Sequence, residues 1–429
     1  MLEATIVLLV FILALAVGIP VVAALSGAAF IGVWLLTGAP ISVVAQKVVA
    51  QVSSPVLVAI PLFVLMANLL VAGGITKRLF DLAGAAVGHI RGGLAQINVI
   101  TSVFMGGLSG SSSADAAMAS RTIVPEMIRR GYSDGFSGAV TAASSTLSII
   151  FPPSIAMIIY ASLSDASVGE LFVAGLLPGF ALSALFIGTV AWICWRQRLG
   201  DRHPRPDRYW SDVLKAAVTA SPAAIIPVAI IGGIRVGFVT PTESAAVGCA
   251  IALILGLFVY RQLKLRDLPK ILKDTAVMTG AVMLIIGAAA PFSWYLGIER
   301  VPQQLAASVG SVADATMFML AATLLVLVAG MVLDATALLI LVTPLLAPVA
   351  ASFGVHPVHF AIIIILTTVV ANISPPMGQM VFVVSAVGRI PIERIFRSVL
   401  WFIPPIIVLI LVVLLFPSPI LATIEWLGP

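Results

Sequence analysis

Residues 144–154 read SSTLSIIFPPS, and residues 367–377 read TTVVANISPPM. The two stretches align without a gap at an offset of 223 positions, which places a Pro-Pro pair at the same point in each. Small, proline and hydroxyl residues upstream and between them match at the same offset: Gly107 with Gly330, Ser113 with Thr336, Pro125 with Pro348, and Gly131 with Gly354. A single offset held from Gly107 to Pro153 predicts an internal repeat.

The composition places this repeat in a membrane. The chain has 429 residues, of which 61% are hydrophobic and 10% charged, whereas soluble domains carry about 25% charge. Several apolar runs approach or exceed the length of about 20 residues that crosses a bilayer as a helix. Strand alternation is absent, so we predict an all-α polytopic membrane protein. The runs include 6–36, 172–195, 246–260, 277–296 and 402–416.

Basic residues predict which loops face the cytoplasm. They cluster in 196–208 and 261–273, with smaller groups in 75–91 and at 129–130. The stretch 92–128 therefore starts and ends on the same side, as a re-entrant hairpin would. The second copy lies within 301–388, which has no Lys or Arg, and its hairpin would enter from outside. This pattern predicts an inverted repeat, with the N- and C-termini periplasmic.

Each half thus combines a re-entrant hairpin with a helix broken at Pro-Pro. Proline removes a backbone donor and frees carbonyls, and membranes tolerate such backbone only where it is packed or lines a cavity. Paired interruptions point to the transport site of a secondary transporter. We expect scaffold helices in 1–74, 196–274 (with the basic loops) and 398–429, and the two halves of a transport domain in 75–195 and 275–397.

Polar residues at the tips and breaks are the candidate substrate ligands. The first tip, 106–113, holds four serines, whose alternative role is close helix packing. Asp334 at the second tip costs about 2.5–3.5 kcal/mol to insert at mid-membrane, and could equally cap the following helix. Arg300 and Arg389 could grip a carboxylate or act only as topology anchors. The full set is Ser111, Ser112, Ser113, Ser154, Asp334, Thr336, Asn372, Gln379, Arg300 and Arg389.

Other function classes find no support in the residues. We find no catalytic constellation, Walker loop or dinucleotide fingerprint, so we expect no enzyme activity, no organic cofactor and an ion gradient as the energy source. A net charge of +5 concentrated in loops does not indicate nucleic-acid binding. His356 and His359 lack the further ligands of a transition-metal site, and Cys194 and Cys249 are expected to be inert. Residues 240–243 predict a capping box.

The motifs resemble the large membrane subunit of TRAP (tripartite ATP-independent periplasmic) transporters. The resemblance rests on GGLSGSSSADAA, IVPEMIRRGY, the stretch around FPPS, TPTESAAVG, GMVLDATALLILVTPLLAPVAASFGVHPVHF and ISPPMGQMVF, and covers nearly the whole chain. It implies a Na⁺-coupled, elevator-type symporter of organic acid anions, such as C4-dicarboxylates, sialic acid, other sugar acids or keto acids, in a bacterial inner membrane. The implied partners are a small four-helix membrane subunit, which we expect to be a separate chain, and a periplasmic substrate-binding protein.

The same resemblance implies two Na⁺ sites, each between a hairpin tip and a break. The first would use Ser109, Ser112, Ser145, Ile149, Phe151 and Pro152. The second would use Gly330, Val332, Asp334, Thr368, Ser374 and Met377, with Ser374 where many members of the family have Thr. The alternative is a stand-alone Na⁺/dicarboxylate symporter or ion antiporter that works without a binding protein; a channel or a membrane enzyme fits the pattern less well.

Overall fold

The computed structural model describes residues 2–200, 208–310 and 314–427. Within these residues every regular element is a helix, which confirms the all-α prediction. Six helical segments are long and apolar enough to cross a membrane, and the count rises to eight if each of two bent helix pairs is one span. The described helices therefore have the lengths and composition of a multi-pass membrane protein.

Eleven helices cover the N-terminal segment and the first half of the repeat. In chain order they are α1 Leu2–Ala16, α2 Val21–Phe30, α3 Ser42–Val52, α4 Ala59–Ala72, α5 Ile75–Val87, α6 Gly93–Ser109, α7 Ser112–Arg129, α8 Asp134–Ser145, α9 Leu147–Ile150, α10 Ile155–Ser162 and α11 Val168–Arg196. A π-helical turn, Ile31–Leu36, extends α2, and a 3-10 turn, Pro55–Val58, precedes α4.

Eleven more helices follow in the described part of the chain. They are α12 Tyr209–Arg235, α13 Pro241–Ile254, α14 Leu268–Ile298, α15 Val301–Gly310, α16 Ala315–Gly330, α17 Ala335–Ser352, α18 Pro357–Ala371, α19 Gln379–Gly388, α20 Ile392–Val399, α21 Ile403–Leu415 and α22 Ser418–Leu427. A π-helical turn, Leu255–Val259, extends α13, and a 3-10 turn, Leu265–Asp267, precedes α14.

Helix boundaries repeat at the offset seen in the sequence. The helices α7 and α17 begin and end 223 positions apart, and so do the first residues of α8 and α18. Both of the latter helices are capped at the preceding position. The Phe136 N–H donates to Ser133 Oγ (3.3 Å), and the Val358 N–H donates to His356 Nδ1 (3.3 Å). Equivalent caps therefore start equivalent helices in the two halves.

The centre of the bundle is α18. Every residue of this helix after Pro357 is buried, and the helix packs against α11, α16, α17 and α21. The long helix α14 lies on the other side of the site, against α2, α3, α4 and α17. The first segment of the second broken helix is thus the buried centre of the bundle, and α14 joins the second hairpin to the N-terminal helices.

Two details of the apolar runs differ from the sequence analysis. The run 6–36 forms two helices rather than one, because Gly18 adopts a left-handed φ of 87° and Pro20 cannot donate to a helical bond. The last run, 402–416, forms α21, which is bent by 46° from the preceding α20, and α22 follows it as an additional helix. The predicted capping box is confirmed, since Thr240 N–H donates to Glu243 Oε2 (2.7 Å) and Glu243 N–H to Thr240 Oγ1 (3.3 Å).

Candidate functional site

The two hairpin tips and the two helix breaks meet around one cavity of about 140 Å³. Its polar lining comes from the first tip (Ser111, Ser112 and Ser113), the second tip (Thr336) and the start of α19 (Gln379). Among the described residues that line it, none is charged. The remaining lining residues are Val64, Gly110, Ile149, Ile155, Ala156, Met278, Val282, Ala335 and Met380.

The first tip rests directly on the first break. Gly110, between α6 and α7, has a left-handed φ of 59°, and a Cβ added there would stand 2.6 Å from the Pro153 carbonyl oxygen. Glycine is therefore required by conformation and by space. Ser111 then caps α7 by accepting the Ala114 N–H (3.4 Å), and its hydroxyl lies 3.4 Å from that of Ser113. The turn thus presents successive hydroxyls to the cavity.

At the first break, a side-chain hydroxyl replaces one of the helical hydrogen bonds that the prolines remove. An uninterrupted helix would bring the N–H of residue 153 to the Ile149 carbonyl, but Pro153 has none. The Ser154 hydroxyl donates to that carbonyl instead (2.6 Å), while accepting the Met157 N–H (3.4 Å) as the cap of α10. Ser154 is fully buried and does not line the cavity. The structure therefore gives it a role in holding the break.

At the second break, a backbone N–H replaces the helical donor that a proline removes. Pro376 cannot donate to the Asn372 carbonyl, and the Met380 N–H does so across the break (3.0 Å). Ser374 donates its hydroxyl to the Val370 carbonyl (2.8 Å). Asn372 is 2% exposed and its side-chain amide nitrogen has no hydrogen-bond partner. Asn372 does not line the cavity, whereas Gln379 does.

The second tip places Asp334 as a helix cap. Its carboxylate accepts the Ala337 N–H (2.7 Å) at the start of α17, and the next two residues, Ala335 and Thr336, line the cavity. Gly330 ends the first arm against the second broken helix, since an added Cβ would lie 2.5 Å from the Ala371 side chain. The interpretation of Asp334 as a cap is therefore what the hydrogen bonds show.

The structure does not bring Arg300 and Arg389 to the cavity. Both are exposed and follow the C-terminal end of a helix, with left-handed φ values of 53° and 54°. Arg389 lies ten residues beyond Gln379 on α19, or about 15 Å at 1.5 Å per residue. Arg300 lies about 27 Å from Val282 by the same measure along α14. Their positions suit anchors at the ends of helices.

The residues proposed for the first Na⁺ site surround the contact between the first tip and the first break. Ser109 and Ser145 are buried, Ser145 donates to the Ala142 carbonyl (2.9 Å), and Ile149 reaches the cavity. Phe151 and Pro152 face away from it, into an apolar cavity of about 460 Å³ on the opposite side of the break.

The residues proposed for the second Na⁺ site are more dispersed. The Thr368 hydroxyl is buried and donates to the Ile365 carbonyl (2.7 Å). Val332 and Met377 are 59% and 51% exposed. Both hydroxyls of this set, on Thr368 and Ser374, are already donors to backbone, so a cation here would meet oxygen lone pairs rather than hydroxyl protons.

Sequence reasoning missed two parts of the site. The wall formed by Val64 of α4 and by Met278 and Val282 of α14 consists of apolar residues with no distinguishing motif. The other part is Asp115, which follows the first tip and is 1% exposed. Its position in a serine-rich tip was visible, but its complete burial depends on how α6, α7 and α8 pack.

Broken helices and hairpins around an uncharged polar cavity, within a bundle of membrane-length helices, define a membrane transport protein. The family model of the tripartite ATP-independent periplasmic transporter, DctM component, matches residues 8–418, and the chain belongs to this family. The protein is accordingly a multi-pass membrane protein and a TRAP transporter large permease, which confirms the family resemblance found in the motifs.

Individual relatives agree with this assignment. The chain is 36% identical over 402 residues to the sialic acid TRAP transporter large permease protein SiaM of Vibrio cholerae, covering 94% of this chain and 93% of that protein. It is 36% identical over 374 residues to the C4-dicarboxylate TRAP transporter large permease protein DctM of Pseudomonas aeruginosa, covering 87% of each. The fold is similar to that of the YdaH transporter of Alcanivorax borkumensis, with a TM-score of 0.64 and 16% identity over 92% of this chain and 90% of that one.

Proposed function

We propose that this chain couples Na⁺ entry to the uptake of a small organic acid anion across a bacterial inner membrane. The observation that carries the proposal is the cavity lining, which offers hydroxyls and one amide but no Lys or Arg among the described residues. A carboxylate removed from water needs compensating positive charge. Cations that bind with the substrate would supply it.

The two breaks offer oxygen atoms for those cations. Each carbonyl that lost its helical donor, such as those of Ile149 and Asn372, accepts one replacement hydrogen bond and retains a second lone pair. We propose one Na⁺ between the Ser109–Ser112 tip and the first break. A second Na⁺ lies between the second tip and the second break, near Thr368 and Ser374. Coupling follows because substrate binds well only when the ions are present.

The division of the cavity wall supports an elevator mechanism. Every polar lining residue belongs to a hairpin or to α19, whereas the helices α4 and α14 contribute only Val64, Met278 and Val282. A unit made of the hairpins and broken helices can therefore slide past α4 and α14 without breaking a polar contact at the cavity. The basic loops give the two halves opposite orientations in this scheme, as alternating access requires.

The names of the relatives suggest a substrate class and partners for this chain. SiaM is a sialic acid permease and DctM a C4-dicarboxylate permease, so a C4-dicarboxylate or a sugar acid is the substrate class we propose. A small four-helix membrane subunit and a periplasmic binding protein complete the transporter. The stand-alone symporter has no structural observation in its favour.

Reconstitution tests the proposal. The chain is placed with its small subunit in liposomes, and uptake of C4-dicarboxylates, sialic acid and keto acids is measured with and without the binding protein under an inward Na⁺ gradient. We expect uptake of one class that requires both the gradient and the binding protein. Uptake without the binding protein would instead indicate the stand-alone symporter, and uptake indifferent to Na⁺ would refute the coupling.

A further inference from the structure

Asp115 is an isolated buried carboxylate. It lies in the first turn of α7, one helical turn after the cap Ser111, and is 1% exposed. Among the described residues it is the only Asp, Glu, Lys or Arg in the buried set. Neither of its carboxylate oxygens accepts a hydrogen bond of good geometry, although the Ser102 hydroxyl lies close to the carboxylate. An ionised group in such a position is costly unless another charge compensates it.

The surrounding helices supply no such charge. Four helices, α6, α8, α9 and α19, pack against α7, and together they carry a single charged residue, Asp134, at the far end of α8. On α7 itself, Arg121 and Arg129 are exposed, and Arg129 pairs with Glu126. Within the described residues, therefore, no protein cation neutralises Asp115.

Buried hydroxyl oxygens, in contrast, lie on the helices that pack against α7. Ser102 of α6 stands next to Asp115 but uses its only proton to donate to Ser144 Oγ (3.1 Å). One turn further along α6, Gly106 lies against Ser148, whose backbone nitrogen would be 3.4 Å from an added Cβ. The Ser148 hydroxyl is itself buried without a hydrogen-bond partner. The Asp115 carboxylate and three buried serine hydroxyls thus lie within one group of helices, α6, α7, α8 and α9, that pack on one another.

From this arrangement we infer a monovalent cation site, occupied by Na⁺, in which Asp115 is the charged ligand and Ser102, Ser144 and Ser148 are neutral ones. Hard cations prefer oxygen ligands, and a single carboxylate balances a single positive charge. Its ligands differ from those proposed at the tip: Ser102 precedes Ser109 by seven residues, or about 10 Å along α6, although Ser144 and Ser148 adjoin Ser145 and Ile149 in the chain. The inference rests on the proposed Na⁺ coupling and adds an ion to it.

The repeat makes this site asymmetric. The position equivalent to Asp115 in the second half, 223 residues later, is Leu338, which is fully buried. The second hairpin therefore cannot hold a cation in the same way. One half of the transport unit would carry a charged ion site in addition to its tip site, and the other half would not.

Equilibrium binding of radioactive ²²Na⁺ to the purified chain with its small subunit tests the inference. The variant Asp115→Asn keeps the shape but removes the charge, and we expect it to bind one Na⁺ fewer per chain than the native protein. Ser148→Ala removes one neutral ligand, a hydroxyl that has no hydrogen-bond partner. We expect Na⁺ at this site to bind at least severalfold more weakly. Asp81→Asn, which removes an exposed carboxylate on α5, is the control and should bind as the native protein does.

The outcomes separate this inference from the proposed function. If the native protein binds Na⁺ and both variants bind the same number with the same affinity, the Asp115 site is refuted while Na⁺ coupling stands. If the native protein binds no Na⁺, both fail. Should Asp115→Asn not fold, Ser148→Ala decides alone, because loss of an unpartnered buried hydroxyl would not weaken Na⁺ binding if Ser148 were merely structural.

Discussion

Ser111 and Asp334 occupy equivalent positions in the repeat, and each caps the second arm of its hairpin. Ser111 accepts the N–H of Ala114 and Asp334 that of Ala337, and both pairs are related by the offset of 223. The cap bond is shorter in the second half, 2.7 Å against 3.4 Å. A carboxylate at the second tip therefore has a structural role, whatever it contributes to ion binding.

Replacing Asp334 should show how much this helix cap stabilises the folded protein. Asp334→Ala leaves the first N–H groups of α17 without their side-chain acceptor, so we expect a loss of about 1 kcal/mol. Asp334→Asn should retain the stability of the native protein, because asparagine caps as well as aspartate does. Thermal unfolding in detergent measures both. Equal melting temperatures for the Ala variant and the native protein would contradict the cap.

The contact between Gly110 and Pro153 predicts a sharp requirement for glycine. Gly110→Ala would incur about 1–2 kcal/mol for the left-handed conformation and would also push the first tip away from the break, so we expect uptake to be lost. Gly131→Ala is the matched control, since Gly131 also has a positive φ, 84°, but has nothing within 4 Å of an added Cβ. It should lower stability while keeping uptake. Similar uptake by the two variants would show that the contact is unimportant.

Ser154 should matter for the integrity of the first break. Ser154→Ala leaves the buried Ile149 carbonyl without the donor that replaces the missing Pro153 N–H, at about 1–3 kcal/mol. Ser183→Ala removes a buried hydroxyl that also donates to a carbonyl, that of Gly179 (2.8 Å), within an uninterrupted helix. That carbonyl keeps its helical N–H, so the control should cost less. Melting temperatures that fall equally in both variants would refute the special role of Ser154.

Arg389 should not contribute to substrate affinity. The residue lies beyond the far end of α19 from Gln379, so Arg389→Gln should leave the KM for the transported acid unchanged. A lost contact between a guanidinium and the bound carboxylate would instead raise the KM about tenfold or more, since such bonds contribute about 1.5–3 kcal/mol. Uptake kinetics at saturating Na⁺ distinguish the two. Gln379→Leu is the contrast, because it removes an amide from the cavity itself and should raise the KM.

The sequence predicted the parts of the fold that depend on local chemistry. The Pro152-Pro153 and Pro375-Pro376 pairs lie where one helix ends and the next begins, whereas single prolines such as Pro125 and Pro348 lie inside continuous helices. Thr240 precedes α13, as the predicted capping box requires. These boundaries could be predicted because proline and capping residues act over one or two turns.

The features of the site that the sequence did not predict depend on tertiary packing. Arg300 and Arg389 were candidates for carboxylate binding because of their chemistry, but their distance from the cavity follows from the direction in which α14 and α19 run. Met278 and Val282 gave no signal because an apolar wall residue resembles any other residue facing lipid. The repeat's orientation in the membrane and the five predicted divisions of the chain stay predictions, since they rest on the distribution of basic residues and on the repeat.

The central claim is that an uncharged cavity binds an organic anion only together with Na⁺. The most direct measurement is simultaneous uptake of ²²Na⁺ and ¹⁴C-labelled substrate by liposomes that contain the whole transporter, with the membrane potential clamped. The account predicts that Na⁺ enters with substrate in a fixed ratio and that neither enters without the other. Substrate uptake that proceeds at the same rate with K⁺ replacing all Na⁺ would contradict it.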